Sequence, residues 1–184
     1  MTTRIERIVS EINDALTISL PWLDKAFPRA ERLAKSIEGR TLYIPGLYDG
    51  SNRFSKNEYM ALLPDSRIGN FSFFWFPDPV EVGWVPRKEN LIKQPFSLIF
   101  WLDLRKVWAT ELKRNKEGVR DQILRVLSGD LFLSEGSFEI NRVYELPEHI
   151  YREFTLSEVD NQFLMHPFTG FRFDGFITYY QQCL

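Results

Sequence analysis

Residues 96–104, FSLIFWLDL, are apolar almost throughout. A run this rich in Phe, Ile and Trp leaves no polar side to face water, so it predicts an interior β-strand covered on both faces. It is far short of the roughly 20 apolar residues a bilayer-spanning helix needs. The rest of the chain must therefore supply a cover for each face.

Residues 168–180, FTGFRFDGFITYY, alternate apolar and polar positions and predict a second strand, with Gly170 and Gly175 at turn or bulge positions. RTLYIP, EYMALLP, NFSFFWF and SFEINRVYE read as further strands separated by turns. Helices supply the cover. Ile5, Ile8, Val9, Ile12 and Leu16 recur on one helical face, and Thr3 with Glu6 has the spacing of a capping box. Residues 118–128 place Val119, Ile123, Val126 and Leu127 on one face, with Gly129 as the stop. A short helix is expected over residues 29–38, ended by Gly39, and another starting at Pro147. Two polar stretches, GLYDGSNRFSKN (46–57) and PDPVEVGWVPRKEN (77–90), predict mobile surface loops; the three prolines of the second argue against a central strand. The expectation is one α+β domain over residues 1–184. Its mixed, mostly antiparallel sheet is packed by an N-terminal helix and one or two further helices.

With 44% hydrophobic and 15% aromatic residues, the chain has ample material for one core, and intrinsic disorder of the whole is excluded. A net charge of −2 gives no bulk argument for a nucleic acid or an anionic membrane as partner. The lone Cys183 has no partner for an internal disulfide, which suits a reducing compartment. The first residues, MTTRIERIVSEI, carry charges through their apolar positions, unlike a signal peptide.

Candidates for chemistry are few. His149 and Glu153 are four apart, a spacing that shares a helix face, but two ligands do not make a metal site. His166 precedes a proline and reads as a turn histidine, and Cys183 lacks the setting of a reactive thiol. Asp78 with Glu111 and Lys113 has the composition of a metal-dependent nuclease, in which carboxylates hold a cation and a lysine steadies the attacking water or phosphate charge. That enzyme of mobile DNA is the alternative reading, and a cytoplasmic interaction module is a second. No catalytic, cofactor-binding or metal residue is assigned.

Contacts with other proteins are the better expectation. Trp84 lies in the proline-rich stretch beside Arg87 and Lys88, a setting for an exposed contact residue. Residues 105–125 hold seven basic and three acidic side chains, net +4, including Lys113, Arg114 and Lys116. Residues 130–160 hold eight acidic and two basic ones, net −6, including Glu148 and Glu153. Unlike surfaces on one protomer suit a head-to-tail contact, which closes into a ring when repeated about an axis.

PFSLIFWLDLRKVW, with INRVYELPEHIYREFTLSEVDNQFLMHPFTGFRFDGFITYYQQC, resembles small proteins of phage and prophage tail-gene clusters in Bacteroides-like bacteria. The layout is similar to tail-completion or tail-terminator proteins. That resemblance implies a virion structural protein without catalytic residues. It would assemble in the bacterial cytoplasm as a ring, often six-fold, and contact tail-tube or neck proteins. Neither a membrane nor a specific nucleic acid is implied.

Overall fold

In a computed structural model, the structure describes residues 3–37, 39–48, 59–63, 68–85, 89–108, 115–129, 131, 133–155 and 164–182. The 96–104 run lies in the long strand β7 (Glu89–Asp103), which pairs along its whole length with β9 (Phe168–Gln182). On its other side β7 pairs with two strands in succession. Its first part, Glu89 to Lys93, meets β6 (Glu81–Val85), and its last part, Ser97 to Trp101, meets β5 (Phe71–Trp75). Pro95 falls in the gap between these pairings, where a missing N–H breaks no bond to either strand. Strand β1 (Lys25–Arg29) joins β5 in parallel, and β8 (Gly136–Tyr144) joins β9 at the opposite edge. The main sheet is six-stranded and mixed, antiparallel everywhere but at β1.

Alternation along β7 divides the core. Leu98, Phe100 and Leu102 point to one side, with Phe74 of β5 and Phe171 and Phe173 of β9. The cover there is α1 (Arg4–Ser19), burying Ile8, Val9, Ile12 and Leu16, and α3 (Lys116–Ser128), burying Val119, Ile123 and Leu127. The capping box is present: the Thr3 amide donates to Glu6 Oε2 at 2.6 Å, and the Glu6 amide donates to Thr3 Oγ1 at 3.3 Å. Ile99 and Trp101 point to the other side with Phe71 and Phe73. A second, antiparallel sheet of β2 (Glu31–Ile37), β3 (Arg40–Tyr48) and β4 (Tyr59–Ala61) covers that side, together with α4 (Pro147–Ile150) and the turn after it. One short helix, α2 (Leu104–Val107), follows β7 directly. The α+β expectation holds.

Two local expectations are corrected. Residues 31–37 form strand β2 in place of a helix. The apolar positions Leu33 and Ile37 are four apart, a spacing that fits a helical turn and a strand face equally well. The β2–β3 hairpin decides it, with Ile37 opposite Arg40 and Gly39 at φ +78° in the turn. The 77–90 stretch contains an edge strand, since its prolines at 77, 79 and 86 flank β6 without interrupting it.

Candidate interaction surfaces and a buried charge cluster

Of the sequence-predicted contact residues, Trp84, Lys116, Glu148 and Glu153 are described, and they lie on four different segments. Trp84 lies in β6 opposite Asn90. Arg87, Lys88, Lys113 and Arg114 lie outside the described residues, as do Glu111, Cys183 and positions 49–57 of the first predicted loop, whose first three residues, 46–48, end strand β3 instead. Asp78 is exposed ahead of β6, and its companions in the nuclease reading, Glu111 and Lys113, are outside the described residues. Glu148 is exposed on α4.

Lys116 and Glu153 are engaged within the fold. Lys116 Nζ donates to the Glu145 carbonyl at 2.9 Å, and Arg120 pairs with the Glu145 carboxylate at 2.8 Å. The basic and acidic halves of the sequence thus meet, in part, inside one protomer. Glu153 lies beyond the end of α4, so it shares no helix face with His149, whose ring packs near Tyr144 at 5.7 Å.

Glu153 instead joins a charge cluster centred on Arg172, a residue the sequence reading passed over. Arg172 is fully buried, on the side of β9 opposite Phe171 and Phe173. Its Nε donates to Asp174 Oδ1 at 2.6 Å, and its Nη2 donates to Glu153 Oε1 and Ser97 Oγ, each at 2.7 Å. Its Nη1 bonds Glu153 Oε2 as well. Arg152, closer to the surface, bridges the same carboxylates, to Glu153 at 3.1 Å and Asp174 at 3.0 Å. The turn carrying Glu153 is fixed to the small sheet at Thr155, whose amide donates to the Tyr43 carbonyl at 2.8 Å. Burial pushes the Glu153 carboxyl up, but the hydrogen bonds and charge of Arg172, aided by Arg152, outweigh it and hold it below the usual carboxylate range. The signal was visible in F-R-F-D: an arginine between two phenylalanines on a strand buried on both faces requires carboxylates across from it. With its donors met by protein groups, the cluster pins β9, β7 and the turn after α4 together.

A second polar tie lies at the other end of β7. Buried Asn70 donates from Nδ2 to the Trp22 carbonyl at 2.9 Å and accepts the Asp103 amide on Oδ1 at 2.7 Å. Gly69, at φ +81°, brings the chain so close to Asp24 that a Cβ would lie 2.1 Å from its Oδ2.

Besides β1 at the end of the main sheet and β2 and β4 at the ends of the small one, two further strands have open edges that bear on association. Among the described residues β6 pairs only with β7, and β8 only with β9, so each presents an unpaired backbone edge on opposite sides of the main sheet. Edge β6 carries exposed apolar side chains, Val82 at 63% and the preceding Val80 at 40%, whereas β8 carries exposed Glu139 and Arg142. Charges on an edge discourage pairing and bare valines do not, so β6 is the more adhesive. Among the described residues no helix is long and apolar enough to cross a membrane, and no group of three His, Cys, Asp or Glu side chains could hold a metal ion.

No family model matches the chain, and neither does any curated protein.

Proposed function

We propose that the protein is a structural component of phage or prophage tail assembly, acting by self-association and by contact with tail-tube or neck proteins. The observation that carries this reading is the edge of β6, unpaired among the described residues, with exposed Val80 and Val82. An open strand edge takes up a strand from another chain, main-chain bonds supplying affinity and side chains register. A ring needs two different surfaces on each protomer, and β8 on the opposite side of the sheet supplies the second. The likeness of residues 96–183 to tail-completion proteins supports the same reading. Lys116, Arg120 and Glu153 are engaged internally, so this reading moves the contact from the charged segments to the strand edges.

The test is the sequence of the DNA flanking the reading frame. The proposal expects neighbouring genes for a tube protein and a long helical tape-measure protein. A neighbourhood of metabolic or regulatory genes overturns it.

A further inference from the structure

The open edges β6 and β8 run in opposite directions. β6 is antiparallel to β7, β7 to β9, and β9 to β8. A second copy set beside the first in the same orientation therefore lays its β6 antiparallel to β8. Neither copy is flipped, and the face covered by α1 and α3 stays on one side.

The two edges also carry unlike charges on one face. Phe138, Ile140 and Val143 of β8 pack toward α1 and α3. The register shift between Ile140 and Arg142 makes Asn141 a bulge, which turns Arg142 to the other face, opposite Asp174. There Arg142 is exposed, and its guanidinium bonds the Tyr144 hydroxyl. It forms no ion pair among the described residues; Glu153 and Asp174 are already held by Arg172 and Arg152. Glu81 of β6 lies opposite Lys93, and Lys93 opposite Thr178. Phe171, Phe173, Ile177 and Tyr179 of β9 pack toward the helices, so Asp174 and Thr178 point away from them. Glu81 thus shares the face of Arg142. It is exposed and likewise has no ion pair among the described residues.

We infer that the partner of β6 is β8 of a second copy, antiparallel, with Glu81 against Arg142; this rests on the proposed role of β6 as a self-association edge. A charged, bulged edge such as β8 rejects an arbitrary apolar strand, and it accepts one that brings a carboxylate to Arg142. The same register sets Val143 level with the exposed Val80 of the next copy. It also staggers the copies. The row of Glu81 crosses β9 at Thr178 and β8 at Ser137, whereas Arg142 pairs with Asp174, four residues away along β9. That offset is about 13 Å at roughly 3.3 Å per residue. Closing a sheet on itself requires a stagger of this kind. Pairing of β6 with β6 would instead give a two-fold dimer that stops at two copies and leaves Arg142 outside the contact.

The experiment is sedimentation velocity on the full chain, comparing the native protein with Arg142→Glu, Glu81→Arg and the variant carrying both. Each single reversal is expected to weaken self-association about ten-fold, since it sets like charges across the contact. The double variant is expected to return to within about three-fold of native, and an equimolar mixture of the two single variants to associate better than either alone. Both positions are exposed, and thermal melting curves check that the fold is kept. Should a reversal variant fail to fold, Arg142→Gln and Glu81→Gln take its place, with a loss of about two- to three-fold expected for each; no loss from either overturns the assignment. Arg142→Glu associating like the native protein, or a double variant no better than the singles, overturns it as well. If Val82→Lys still abolishes association in that case, the β6 edge stands and only its β8 partner falls. A native protein that does not associate overturns both.

Discussion

Replacing Arg172 by Met keeps the length and apolar bulk of the side chain and removes the cation at the centre of the cluster. In the native protein Arg172 is 0% exposed, while Glu153 and Asp174 keep 22% and 18% of their side-chain surface in water. Breaking a buried ion pair by deleting one partner costs about 3–5 kcal/mol, because the surviving charge stays desolvated. Here the two surviving carboxylates partly rehydrate and keep Arg152, at 3.1 and 3.0 Å, which places the loss near the lower bound, about 3 kcal/mol. With a urea m-value of about 2 kcal/mol/M, the unfolding midpoint should fall by about 1.5 M. The double variant Arg172→Met with Glu153→Leu removes both ends of the pair and leaves Asp174 to Arg152. It should therefore lose less than the sum of the single losses, with a coupling of about 1–3 kcal/mol. The assay is reversible urea denaturation of the four proteins, followed by tryptophan fluorescence. A midpoint shift below about 0.5 M for Arg172→Met, or strict additivity in the cycle, refutes the reasoning, since either means the guanidinium is not holding the turn after α4 to β9.

The Glu153 carboxyl is held below its ordinary value of 4.5, so its contribution to stability is complete above that pH and is lost as pH falls through the folded-state value. Urea midpoints measured from pH 6 down to pH 3 should fall more steeply for the native protein than for Glu153→Gln; parallel curves contradict this. Gly175→Ala should cost about 3 kcal/mol or more, because a Cβ there would lie 1.9 Å from the Glu139 carbonyl oxygen on β8, a backbone atom. A thermal midpoint within a degree or two of native would show that β8 can move aside.

Much of the framework was legible because its signals are local. The α1 apolar stripe and its capping box fit the helical period only, and the 96–104 run is short and rich in Phe, Ile and Trp, which favours a buried strand; the structure keeps all three. Residues 31–37 were not legible as a strand. Their apolar spacing fits both periods, and the decisive partner, β3, is a hairpin contact outside the segment. β6 was hidden by three prolines that turn out to flank it. For the site, the residue types were in view but their pairings were not. Charge counts along the chain suggested complementary outer patches, whereas Glu145 folds back onto Lys116 and Arg120. Glu153 read as a helix-surface carboxylate, yet α4 stops at Ile150 and the following turn swings it toward Arg172.

Self-association through the β6 edge is tested most directly by sedimentation velocity across a wide concentration range, for the native protein and for Val82→Lys. Position 82 is 63% exposed and its strand pairs only with β7 among the described residues, so the lysine should leave the fold intact and blunt the edge. The account predicts concentration-dependent oligomers for the native protein, little weakened by salt, and a monomer for Val82→Lys at the same concentrations. A native protein that stays monomeric throughout, or oligomers that Val82→Lys leaves unchanged, would contradict it.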